Sequence, residues 1–140
     1  MTYKEMNAAV MLLGAVVISA WVWMATAGAS TALPDVAARL CWAILASIGF
    51  NIVAVIVFTI LISIAQGREL KDERADERDH AVGAKAMRNG YVVASASGAV
   101  TLLIWALGYD VTVGVYLLFF GLMLAGATDA VSRLVYYRIG

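Results

Sequence analysis

The stretch from Val36 to Ala65, VAARLCWAILASIGFNIVAVIVFTILISIA, contains one charged residue, Arg39, in thirty positions. A soluble domain cannot hide so long an unbroken apolar run, and a bilayer-spanning helix needs only about 20 such residues. Similar runs cover 6–27, 91–107 and 111–128, the last extending as a helix to about 135. The whole chain of 140 residues is 63% hydrophobic and 14% charged. That composition belongs to membrane proteins. The expected fold class is therefore all-α, an integral membrane protein with four transmembrane helices in one bundle and a single domain over 1–140. Continuous rather than alternating apolarity disfavours a transmembrane barrel.

The second run would reach about 45 Å at 1.5 Å per residue, so it must tilt or project beyond the bilayer. Pro34 and Asp35 suit its entering turn, where proline costs no hydrogen bond and an acid meets the positive end of the helix dipole. The first run follows Lys4 and ends near a small-residue Ala25-Thr26-Ala27 motif, as a signal peptide would. It is longer than a signal core and carries Trp21 and Trp23, so it reads as helix 1.

Four spans place nine of the ten basic residues on one side: Lys4, Arg68, Lys71, Arg74, Arg78, Lys85, Arg88, Arg133 and Arg138. Only Arg39 falls on the other. The positive-inside rule then makes both termini and the 66–90 connection cytoplasmic, in a multi-pass protein of a prokaryotic inner membrane. Trp21, Trp23, Trp42, Trp105 and Tyr109 mark the outer interface, and Tyr3, Tyr91, Tyr136 and Tyr137 the inner one. The outer connections, GASTALPD at 28–35 and GYD at 108–110, are too short to hold a domain.

Small residues recur every four positions, Gly90, Ala94 and Gly98 on helix 3 and Gly121 and Ala125 on helix 4. Such faces let helix backbones approach in lipid, either within one chain or in self-association. Polar residues in the membrane point to function because they are costly there. Asn51, in SIGFNIVAV, is expected to bond across to Ser97 or Thr101 on helix 3, or else to line a solute path. Asp129 and Arg133 have the i,i+4 spacing of a helix-face ion pair. No acid lies buried in helix 1, which separates this chain from the small multidrug transporters.

Half the charged residues lie in RELKDERADERDH, 68–80, with the only histidine. As a helix, its acids Glu69, Asp72, Glu73, Asp76, Glu77 and Asp79 would fill an arc of about 160°, and Arg68, Lys71, Arg74 and Arg78 an opposing arc of about 120°. Gly67 and Gly83 are the expected bends. Three readings follow. The segment could dock a protein partner through Asp72, Glu73, Arg74, Asp76, Glu77, Arg78 and Asp79, with its basic side on anionic headgroups. Asp72, Asp76 and His80, one turn apart, could ligate a divalent metal. Or the balanced charges form a solvated linker of self-cancelling pairs.

Within this segment, DERDHAVGAKAMRNGYVV at 76–93 resembles a family of small prokaryotic predicted membrane proteins of unknown function, marked by a similar acidic-arginine motif before a membrane helix. The resemblance implies four-helix topology and a regulatory role beside cytoplasmic factors. It carries over no catalytic residues.

Catalytic signatures are missing from the sequence: no nucleophile elbow, phosphate-binding loop, zinc motif or nucleotide fingerprint. A single histidine outside the apolar runs does not suit haem, and Asp76 or Asp79 beside His80 is the sole acid–base pairing on offer. One cysteine, Cys41, excludes an internal disulfide. Zero net charge lacks the footprint of a nucleic-acid binder. The expectation is a non-enzymatic accessory or regulatory protein without cofactors, whose partners are the bilayer and a protein docked on the charged segment; the alternative is an oligomeric small-solute or ion transporter with a polar path near Asn51.

Overall fold

The computed structural model describes residues 3–67 and 76–139. It contains four helices, α1 (Tyr3–Thr26), α2 (Leu33–Gln66), α3 (Glu77–Ala106) and α4 (Val111–Ile139), and no strand among the described residues. All four are long and apolar enough to cross a membrane. The chain is all-α, as its unbroken apolar runs require.

Local chemistry sets the helix ends. Pro34 and Asp35 occupy the first turn of α2, after an extended Ala32. Gly67, at φ 62°, closes α2 in the left-handed conformation, and its N–H reaches the Ile64 carbonyl. Asp76 caps α3: its carboxylate accepts from the Asp79 N–H at 2.7 Å, and the Asp79 carboxylate accepts from the Asp76 N–H at 3.0 Å. At the opposite end, Asp110 accepts from the Thr112 N–H at 2.8 Å and from its hydroxyl, and these bonds hold the carboxyl below its ordinary range.

α3 differs from its expected extent. It begins at Glu77, well before residue 91, and runs without a break through Gly83, the expected bend. The Asp76–Asp79 cap supplies the reason, because it satisfies the first amides of a polar helix that apolar periodicity alone does not announce. About 20 Å of α3 therefore precedes its apolar run, at 1.5 Å per residue.

The helices do not form a symmetrical ring of four. α1, α2 and α4 group together, α3 lies along α4, and no backbone contact joins α3 to α2. Ile18, Val22, Val36, Leu40, Ala43 and Phe119 form the core where those three helices meet, toward the short 27–32 and 107–110 connections. That end is the loop end; the starts of α1 and α3 and the end of α4 meet at the opposite, charged end. Two of the small residues pack within the chain. A Cβ on Gly90 would lie 3.0 Å from the Ala125 carbonyl oxygen, and one on Gly121 would overlap the Ser97 side chain. Gly98, from the same stripe, has nothing within 4 Å of its Cβ position.

Asn51 departs from expectation for the same topological reason. Because α2 does not reach α3, no bond to Ser97 or Thr101 forms. Asn51 Nδ2 instead donates to the Ser47 carbonyl at 2.8 Å, while the Ser97 and Thr101 hydroxyls each donate to a carbonyl of α3 itself at 2.8 Å.

Candidate functional site

Three helix ends converge at the charged end. α1 brings Tyr3, Lys4 and Asn7, α3 brings Asp79 and His80, and α4, continuing past its apolar run at Thr128, brings Arg133 and Tyr137. They line an open cleft of about 260 Å³. Lys4 donates to Asp79 across 75 positions of sequence, an ion pair whose side chains are 24% and 18% exposed. The Lys4 ammonium first, then the Asp76 N–H, hold the Asp79 carboxyl well below the usual carboxylate range, against the opposing effect of burial. The Tyr137 hydroxyl, on the same cleft, also favours the charged form of this carboxylate. Burial, and then the Asp79 charge, push the Tyr137 hydroxyl above its ordinary value, so it stays a donor.

Two further bonds tighten this end. Arg78 Nη2 donates to the Tyr137 carbonyl at 3.2 Å. Arg133 clamps Asp129 with two bonds, 2.8 and 3.3 Å, giving the expected i,i+4 pair. Asn89 Nδ2 adds polar contacts from α3 to α4, to Ser132 Oγ at 3.0 Å and the Tyr136 hydroxyl at 3.1 Å.

The residues singled out for docking thus have separate fates. Asp72, Glu73 and Arg74 lie outside the described residues, as does Asp72 of the proposed metal set. Asp76 and Asp79 close the helix cap, and Asp79 and Arg78 are bonded to α1 and α4. Glu77 remains exposed, beside exposed Arg78, Lys85 and Arg88 on the outward side of α3, and His80 is exposed at the cleft edge. Among the described residues, no three His, Cys, Asp or Glu side chains come together as metal ligands.

A second cavity, of about 300 Å³, lies deeper between α1, α2 and α4. Its walls are Asn7, Met11 and Ala15 of α1, Ser47 and Asn51 of α2, and Leu122, Met123 and Gly126 of α4. Asn7 and Met11 line both cavities. Asn51 Oδ1 is buried and has no hydrogen-bond partner. Gly14 makes room for this amide, since a Cβ there would lie 2.9 Å from Asn51 Nδ2.

Sequence reasoning counted Lys4 and Tyr137 as topological markers and passed over Asn7 and Gly14. The available signal was an asparagine seven residues into the chain, at the edge of an apolar run. The same reasoning counted Arg39 for topology alone and missed its bond, in which Nη1 donates to the Tyr116 hydroxyl at 2.7 Å. Comparison with protein-family models, with curated proteins and with solved structures finds no match to this chain, so the likeness of residues 76–93 to the small prokaryotic family rests on those residues themselves.

Proposed function

We propose that this is a non-enzymatic accessory or regulatory protein of the prokaryotic inner membrane, with both termini cytoplasmic and a charged platform that docks a protein partner. The observation that carries this reading is the Lys4–Asp79 pair, which fixes the projecting start of α3 against α1 while Arg78, bonded to the Tyr137 carbonyl, secures it to α4. A charged helix held in this way presents Glu77, His80, Lys85 and Arg88 in one fixed arrangement. Preorganisation lowers the ordering cost that a partner would otherwise meet. The surplus of basic residues at this end supports its cytoplasmic orientation.

The test is recovery of partners from native membranes in mild detergent. The triple variant Glu77→Lys, Lys85→Glu, Arg88→Glu reverses the outward charges and leaves the Lys4–Asp79 pair intact. It should lose the co-purifying protein while keeping the parent's thermal midpoint. Equal recovery of the same partner at equal stoichiometry would remove the docking reading.

A further inference from the structure

We infer that the cleft running from Lys4 to Asn51 is hydrated and forms a binding site for a small uncharged solute that donates hydrogen bonds. The inference is independent of docking, because it concerns the interior between α1, α2 and α4. Four observations converge on it. The charged cleft and the deeper cavity both touch Asn7 and Met11, so they adjoin along one turn of α1. Polar side chains recur along the deeper cavity, at Asn7, Ser47 and Asn51, where lipid-facing positions such as Ile52 and Val53 are apolar. Beside its inner end the Asn51 Oδ1 atom is buried without a hydrogen-bond partner. Beyond it, Ile18, Val22, Val36, Leu40, Ala43 and Phe119 close the route to the loop end with a dry core.

Energetics favour an occupied cleft. A buried polar atom without a partner costs about 1–3 kcal/mol. The amide torsion χ2 is broad, so a turn that exchanges the Nδ2 bond to the Ser47 carbonyl for one to a solute would bring Oδ1 to the cavity that Asn51 already lines. Asn51 stands near the middle of α2, so the cleft reaches about halfway along that helix.

Charge selects the class of solute. At the mouth Lys4 is matched by Asp79 and Arg133 by Asp129, and the deeper walls are neutral amide, hydroxyl, thioether and hydrocarbon. An ion brought to that depth would find no opposite charge to offset its lost hydration. A molecule of the size and chemistry of glycerol or urea meets acceptors and donors at three levels, Asn7, Ser47 and Asn51.

The experiment is cysteine accessibility in membrane vesicles, in a Cys41→Ala background. Asn51→Cys, Ser47→Cys and Ile52→Cys sit within two turns of one another on α2, the last 58% exposed on the outer surface of the helices. A hydrophilic thiol reagent should modify Ser47→Cys and Asn51→Cys from the charged side only, at least about tenfold faster than Ile52→Cys, because a thiol in a dry apolar setting does not ionise. Glycerol should slow that reaction, and a large dextran at equal osmolality, too bulky to enter, should not. Reaction of both cleft cysteines as slow as that of Ile52→Cys would overturn the hydrated path. Fast reaction that glycerol and urea both leave unchanged would overturn the solute site.

Discussion

Lys4, at the start of α1, and Asp79, in the first turn of α3, form an ion pair that joins two helices whose backbones do not otherwise meet. The pair is what turns a charged connection into a structured end of the molecule. Several consequences are measurable.

Asp79 makes stability depend on pH. Its carboxyl is held below the ordinary value of 3.8, so the folded state favours the charged form. A group of this kind contributes stability that is present above its unfolded pKa and lost as pH falls through that value toward the folded one. The thermal midpoint of the parent should exceed that of Asp79→Asn at pH 7, and the gap should close as pH falls below about 4. A gap that stayed constant from pH 7 to pH 3 would show that the carboxylate charge contributes nothing.

The Asp76 cap predicts a separate, local effect. Asp76→Ala removes the acceptor for the Asp79 N–H and should cost about 1 kcal/mol. Amide hydrogen exchange should speed up in the first turns of α3 and remain unchanged beyond Gly90. Uniform loss of protection along α3 would contradict a local cap.

Two glycines of one apparent stripe should behave oppositely. Gly121→Ala drives a Cβ into Ser97 and should destabilise by about 1–3 kcal/mol, the usual cost of overpacking. Gly98→Ala meets nothing within 4 Å and should stabilise α3 by about 0.5–1 kcal/mol through lost chain entropy. Melting in detergent distinguishes them. Equal losses at both sites would mean that the Gly98 face is also packed.

Asn51 is a poor candidate for structural glue. Its one hydrogen bond runs to the Ser47 carbonyl of its own helix, and its oxygen has none. Asn51→Ala should therefore change stability by less than about 1 kcal/mol, whereas an interhelical amide bond would cost about 1–2 kcal/mol. A loss in that larger range would restore the structural role.

Length and apolarity are sums over many residues, so the spans of α1, α2 and α4 were legible in Val36–Ala65 and its fellow runs. The Asp129–Arg133 pair was legible as well, since a helix fixes which residues share a face. The start of α3 was not: it depends on a reciprocal cap between two aspartates in a polar stretch, and hydropathy carries no trace of it. The contacts of Lys4, Asn7 and Gly14 were not legible, because they come from the neighbours α1 acquires in space. Asn51 was singled out correctly as unusual and given the wrong neighbour, because sequence order places α3 after α2 while the fold sets α3 against α4.

The most direct test of the anchored charged end is a double-mutant cycle on Lys4→Met and Asp79→Asn, read as thermal or denaturant stability in detergent. Both side chains are less than a quarter exposed, so their coupling is only partly screened. The anchored platform predicts that each single variant is destabilised and that the double variant is no worse than Asp79→Asn, a coupling of about 1 kcal/mol. Losses that add to within about 0.3 kcal/mol would mean that Lys4 and Asp79 do not hold α1 and α3 together, and would contradict the account.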